Sequence, residues 1–182
     1  QPKVFGAVVV KAGAKDCPNT GIAHYFEPIM FKGTDRMGTT DYEKEKPWLD
    51  SISAQYDLLS KTKDEVGRTR IQKHINELSL KAADYVIPNE FNRLISKYGG
   101  SGLNAGTGHD LAYYHNSFLP QFIEQWCWLT SERLINPVFR GFQGELEHVY
   151  EEKNRSADAL GDAQDKLFSA VFKTQPYAYP II

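Results

Sequence analysis

The segment from residue 41 to 86 constrains the fold most, because it is charged, low in glycine and periodic throughout. Apolar residues recur there at helical spacing on both sides of a polar stretch at 62–67. The first set comprises Trp48, Leu49, Ile52, Tyr56 and Leu59, and the second comprises Ile71, Ile75, Leu78 and Ala82. Each set would cover one face of a helix, so the segment predicts two antiparallel helices joined by a polar turn.

Strand patterns are few in this sequence. Residues 3–11 are apolar and β-branched at odd and even positions, which is typical of a strand covered on both faces. A glycine-rich stretch at 101–109 leads into a second predicted strand at 111–115, at the end of which we expect His115. Helical patterns cover about 21–31, 88–98, 120–134, 139–155 and 158–173. Many helices and few strands predict an α+β domain.

The composition fits one ordinary folded domain. The chain has 182 residues, of which 41% are hydrophobic, and its formal net charge is −2. This charge gives no reason to expect a nucleic-acid partner, and no apolar run approaches the ~18 residues of a membrane-spanning helix. Cys17 and Cys127 are too few for a disulfide framework. The chain starts at Gln1 and ends in an extended apolar stretch at 179–182, so we expect a piece of a longer polypeptide.

The helix predicted at 21–31 carries a pattern with chemical meaning. His24 and Glu27 are three residues apart and Pro28 follows, so all three share one helical face. A His-x-x-Glu-His arrangement there would present two imidazoles to Zn²⁺ and a glutamate as general base. The segment matches this inverted zincin signature except that Pro28 stands at the second histidine. Taken alone, His24 and Glu27 are more often a simple pair on a solvated face.

Several blocks in the same order resemble the pitrilysin and insulin-degrading-enzyme (insulinase) family of zinc metallopeptidases, over nearly the whole chain. The Gly-Ile-Ala-His and Met-Phe-Lys-Gly-Thr sequences within 21–34 resemble the family's first metal-binding helix and its exit. Residues 102–107 resemble the segment that leads into a peptide-binding edge strand, and residues 131–137 the end of the next helix. Residues 145–155 resemble the helix that supplies the third zinc ligand.

The resemblance implies a role for individual residues. His24 and Glu152 match zinc ligands, Glu27 matches the general base, and Glu145 matches a carboxylate that supports the ligands from behind. An extended peptide substrate would add as a strand along a short segment of backbone. That segment comprises Asn104, Ala105, Gly106 and Thr107.

The resemblance also implies an architecture and a setting. It predicts an antiparallel-rich sheet packed by several helices, a LuxS/metallopeptidase-like α/β roll, as a single truncated N-terminal domain over residues 1–182. The helical pair at about 41–86 would be an insertion, and the first and the C-terminal strands would lie outside this chain. The implied partners are a peptide or unfolded protein and a second peptidase-like domain or subunit. A bacterial periplasm or envelope is the implied compartment.

Pro28 is the departure that bears most on function. Its side chain has no donor atom, so only His24 and Glu152 remain as protein ligands, and we expect zinc to be weakly bound or absent. An interior helix proline costs roughly 3 kcal/mol and clashes with the carbonyl four residues earlier, so we expect a kink at His24. His148 is a possible substitute ligand, because Glu145, His148 and Glu152 share a helical face.

Three hypotheses follow. The first is a non-catalytic, peptide-binding partner domain with a degenerate His-x-x-Glu-Pro site. The second is an active zinc metalloendopeptidase that uses His24, Glu152 and His148 as ligands and Glu27 as general base. The third is that Pro28 replaces a natural histidine. The glycine-rich stretch at 99–108 does not fit a phosphate-binding loop, and the cluster Trp126-Cys127-Trp128 is expected to pack in the core.

Overall fold

The computed structural model describes residues 2–156 and 159–182, and it confirms the predicted α+β class. Three strands form an antiparallel sheet, which comprises β1 (Val4–Val10), β2 (Ser101–Thr107) and β3 (Ala112–Phe118). The helices of the described residues are α1 (Ile22–Ile29), α2 (Tyr42–Lys61), α3 (Glu65–Ala83), α4 (Glu90–Lys97), α5 (Ile123–Ile135), α6 (Phe142–Ser156) and α7 (Ala159–Val171). Not one of these helices is both long and apolar enough to cross a membrane.

The sheet has the spatial order β1-β3-β2, so β3 lies in the middle. Its register runs from Val4 opposite Phe118 to Val10 opposite Ala112 in the β1–β3 pair. The β2–β3 pair aligns Thr107 with Ala112 and has an irregularity between Ser101 and Asn104. Both β1 and β2 are therefore edge strands within the part of the chain that the structure describes.

Three strand predictions need correction. The glycine-rich stretch after residue 100 is itself a strand, β2, because its glycines allow close packing: a Cβ at Gly106 would lie 2.5 Å from the Tyr113 ring. His115 lies in the middle of β3, not at its end. The prediction that β1 is covered on both faces is also wrong, since Phe5 and Val9 are 65% and 62% exposed. The described residues cover only its inner face.

The main core lies between the inner face of the sheet and helices α4 and α5. It is formed by Met37, Phe91, Ile95 and Leu129, with Trp126 packed against it. Trp126 stacks on Phe118 and donates a hydrogen bond from Nε1 to Asn116 Oδ1 at 2.8 Å. Only this member of the tryptophan cluster is a core residue, because Cys127 and Trp128 are exposed on the opposite side of α5. Both cysteines are free thiols.

Arg133 is an unusual member of the core. Its guanidinium lies 4.5 to 5.0 Å from the ring centroids of Tyr114, Phe91 and Phe31. Its Nε and Nη1 atoms have no hydrogen-bond acceptor among the described residues. Burial lowers the pKa of the Arg133 guanidinium to about 10, so the aromatic faces are the main compensation for its lost hydration.

Helices α2 and α3 confirm the helical pair predicted from the periodicity. Each begins at an aspartate cap: Asp41 accepts a hydrogen bond from the backbone N–H of Lys44, and Asp64 accepts one from Gly67. The Nζ atom of Lys81, near the end of α3, lies 4.8 Å from the ring centroid of Trp48, near the start of α2. The two helices are therefore antiparallel.

A buried ion pair attaches this hairpin to the rest of the domain. Arg140, just before α6, binds Glu45 in the first turn of α2 through two hydrogen bonds of 2.6 and 2.9 Å. Both side chains are almost fully buried, at 2% and 0% exposure. The remaining Arg140 donors reach the carbonyls of Lys32, Thr34 and Met37. This pair fixes the start of the hairpin against the segment that leads into α6.

Candidate functional site

Helices α1 and α6 pack against each other and form the centre of the candidate site. Tyr25 and Ile29 of α1 and Val149 of α6 are buried together. The Tyr25 hydroxyl donates a hydrogen bond to the backbone carbonyl of Phe142 at 2.6 Å, and the two rings meet edge to face at 5.0 Å. Since His24 is next to Tyr25 and Glu152 is three residues after Val149, this packing brings their side chains to one side of the interface.

His24 and Glu152 meet directly, although 128 positions separate them in the sequence. His24 Nε2 lies 3.1 Å from Glu152 Oε2, and His24 Nδ1 lies 3.8 Å from Glu27 Oε2. The side chains of His24 and Glu27 are 13% and 14% exposed, whereas that of Glu152 is 43% exposed. One imidazole is thus flanked by two carboxylates at the edge of the interface, accessible from solvent on the Glu152 side.

Glu27 connects this cluster to the sheet. The hydroxyl of Thr107, the last residue of β2, donates a hydrogen bond of 2.6 Å to Glu27 Oε2. Asn104, Ala105 and Gly106 precede it on the same edge strand. The residues that match a general base and a peptide-binding edge are therefore neighbours in the structure. The Thr107 contact has no signal in the sequence, because it depends on how α1 packs on the sheet.

Glu145 does not contact His24. It forms an ion pair with Lys32, and its side chain is 14% exposed. Pro28 is four residues before Lys32 and lies in the last turn of α1, which ends at Ile29. The helix therefore ends two residues before the predicted end at residue 31. His24 lies within the helical part.

Tyr25 of α1 and Tyr114 of β3 are buried phenols close to the candidate site. Burial raises the pKa of Tyr25 and of Tyr114, so both side chains stay neutral over the physiological range. The negative charge of Glu145 adds to the effect at Tyr25, and that of Glu27 adds to it at Tyr114. These tyrosines supply hydrogen-bonding and packing groups, not acid–base groups, to the site.

A catalytic zinc ion requires more donors than His24 and Glu152 supply. Such sites use three protein ligands and one open position. The described residues contain no group of three or more His, Cys, Asp or Glu side chains that could hold a metal ion. His148 is exposed on α6, and Pro28 offers no donor atom. Among the described residues, neither Pro28 nor His148 therefore adds a third ligand to His24 and Glu152.

The distance between His24 and Glu152 nevertheless has two readings. A direct N–H···O hydrogen bond is ~2.7–3.2 Å long, and the observed 3.1 Å fits it. Two ligands held at ~2.0–2.1 Å from one tetrahedral Zn²⁺ would be about 3.3 Å apart. The geometry is thus compatible with a simple pair and with two of the three ligands that a zinc site needs.

Comparisons with known proteins add no family to these observations. No protein-family model matches the chain, and no curated protein matches it significantly.

Proposed function

We propose that this chain is a non-catalytic, peptide-binding domain that resembles the pitrilysin-type zinc metallopeptidases. The observation that carries the proposal is the hydrogen bond between Thr107 and Glu27. It places the end of the β2 edge strand beside the His24–Glu152 pair. A peptide aligned on β2 would therefore pass the carboxylate that matches the general base.

The edge of β2 supports peptide binding by strand addition. One side of β2 pairs with β3, and no strand of the described residues pairs with its other side. An unpaired edge presents a row of backbone N–H and C=O groups to an extended chain. Asn104 is exposed on the outer face of the strand, whereas the Tyr113 ring packs close to Gly106.

The donor set supports a role without catalysis. Pro28 leaves His24 and Glu152 as the two remaining candidate ligands, and a catalytic zinc site needs a third. Glu27 would then be a polar residue that lines the site and accepts the hydrogen bond from Thr107, and it would not activate a metal-bound water. A domain of this kind holds an unfolded or peptide ligand, while a second peptidase-like domain or subunit supplies the metal.

The second candidate is an active zinc metalloendopeptidase. The 3.1 Å spacing of His24 and Glu152 favours it, since that distance also suits two ligands of one ion. His148 would supply the third ligand and Glu27 would act as general base. This candidate requires His148 to leave its exposed position on α6.

A pair of backbone-methylated peptides tests binding at the edge. We expect a fluorescent, extended eight-residue peptide to bind, and N-methylation at alternate residues to weaken binding at least about 10-fold in one register only. The reason is that an added strand directs every second N–H towards its partner, and each lost hydrogen bond costs ~0.5–1.5 kcal/mol. Fluorescence anisotropy measures the affinity.

Hydrogen exchange of the complex provides the control for position. Peptide binding should protect backbone amides in β2 and leave β1, the other edge strand, unchanged. Equal affinity for both methylated registers, or protection confined to β1, would contradict the proposal.

A further inference from the structure

A large cavity lies between the α2–α3 hairpin and the rest of the domain. Its volume is about 880 Å³. Helices α2 and α3 form one wall, and the end of α1 with the segment at 137–145 forms the other. The volume falls within the ~300–1,000 Å³ that is usual for ligand-binding pockets.

Contacts at two places fix the position of the hairpin relative to the opposite wall. The buried Glu45–Arg140 pair anchors the start of α2. Further along α2, the Tyr56 hydroxyl donates to Gln143 Oε1 at 3.0 Å, and the Tyr56 ring lies 5.2 Å from that of Phe142. Because the hairpin is tied to the segment around α6 at both places, it cannot fold down onto the opposite wall without breaking them.

The walls are chemically suited to uncharged groups. Most of the surface is apolar and includes Phe31, Leu49, Ile52, Val86, Val138 and Phe142. The cations that line the cavity, Lys32 and Arg140, are already paired with Glu145 and Glu45. An anionic ligand would therefore find no unpaired Lys or Arg among the described lining residues. The exposed carboxylates of Asp50 and Asp57 also line the cavity, although Asp50 is paired with Lys46. The charge distribution therefore disfavours acids and leaves apolar burial as the main source of affinity.

The cavity adjoins the candidate site through α1. Pro28 lines the cavity, and the preceding residue, Glu27, binds Thr107 at the end of β2. The proline that removes a donor atom beside His24 thus adds apolar surface to the cavity wall. The cavity wall and the contact with the end of β2 are therefore formed by consecutive residues of the same helix.

We propose that the cavity binds aromatic or branched aliphatic side chains of the peptide that adds to β2. This inference rests on the proposed function, because it names the class of peptide that the site prefers. Uncharged apolar segments are favoured, and acidic segments are excluded.

Two matched peptides and three tryptophan variants of the protein test the inference. The peptides have the same length, one with Phe and Leu at two positions and the other with Ser at both. We expect the apolar peptide to bind at least about 10-fold more tightly, as burial of two apolar side chains predicts. Ala83→Trp or Ser53→Trp partly fills the cavity from an exposed helix position and should lower the affinity of the apolar peptide towards that of the Ser peptide.

Leu80→Trp is the control, since Leu80 lies on the same helix as Ala83, is 72% exposed and does not line the cavity. It should keep the full preference. Far-UV circular dichroism checks that each variant folds. If one of the two filling variants does not fold, the other still tests the inference. Equal affinity of wild-type protein for both peptides, or a preference that survives both filling variants, would overturn the inference.

An uncharged fluorescent dye separates this inference from the edge-binding proposal. Nile red should brighten with wild-type protein and with Leu80→Trp but not with Ala83→Trp, and the apolar peptide should displace it. Displacement by 1-decanol and not by the peptide would assign the cavity to a lipid-like ligand and reject a peptide occupant. Loss of the N-methylation effect with dye binding intact would instead reject strand addition, and with it the peptide occupant.

Discussion

Zinc affinity is expected to rise more than about 100-fold when Pro28 is replaced by histidine. The substitution restores a third donor on the helical face that carries His24, opposite Glu152. Loss of a residue that merely supports a ligand costs ~10–100-fold in metal affinity, so restoring a ligand itself should have a larger effect. Competition with a chromophoric chelator measures the affinity of protein that has never been exposed to nickel resin.

Pro28→Ala is the matched control. Both substitutions relieve the interior proline, which costs roughly 3 kcal/mol in a helix, but only histidine adds a nitrogen donor. An increase in zinc affinity that both variants share therefore results from removing the proline from the helix. The difference between their zinc affinities results from the added histidine ligand. Equal zinc affinities of Pro28→His and Pro28→Ala would show that α1 and α6 do not frame a metal site.

Removal of the Arg140 guanidinium is expected to lower the free energy of unfolding by about 3–5 kcal/mol, the range for breaking a buried ion pair. In Arg140→Met the Glu45 carboxylate would stay fully buried without its cation. The carbonyls of Thr34 and Met37 would also lose donors. Urea unfolding followed by circular dichroism measures the change.

Lys46→Met provides the comparison with an exposed pair. Lys46 binds Asp50 at 2.6 Å on the same helix as Glu45, but both side chains are exposed. Its removal should cost less than about 0.5 kcal/mol, as is usual for surface pairs at this spacing. The double variant Glu45→Leu/Arg140→Met should be less destabilised than the sum of its parts. A change below about 1 kcal/mol in Arg140→Met would contradict the anchoring role of this pair.

Helices whose apolar residues recur at helical spacing could be predicted from the sequence. Ile71, Ile75 and Leu78 of α3 are buried in the structure as the spacing indicated, because helix periodicity is a local property of the chain. The strand β2 was missed for the opposite reason. Its inward residues are Leu103, Ala105 and Thr107, and the positions between them include glycines. The sequence therefore lacks the alternation of large apolar and polar side chains that marks a strand.

The candidate site depends on contacts that no local pattern encodes. The resemblance, not the periodicity, indicated that His24 and Glu152 would meet. The Thr107–Glu27 hydrogen bond joins residues 80 positions apart, and the Arg140–Glu45 pair joins residues 95 positions apart. Such pairs follow from how whole elements pack, so only the structure gives them. The cavity likewise results from the spacing of two layers and not from any one segment.

The most direct measurement follows binding and cleavage of one internally quenched peptide by the same protein sample. The protein is first freed of metal with a chelator and then supplied with equimolar zinc, with Glu27→Gln treated in parallel. We predict that the peptide binds equally well before and after zinc addition and stays intact, because two donors do not complete a catalytic site. Zinc-dependent cleavage that disappears in Glu27→Gln would contradict the non-catalytic role and establish an active peptidase.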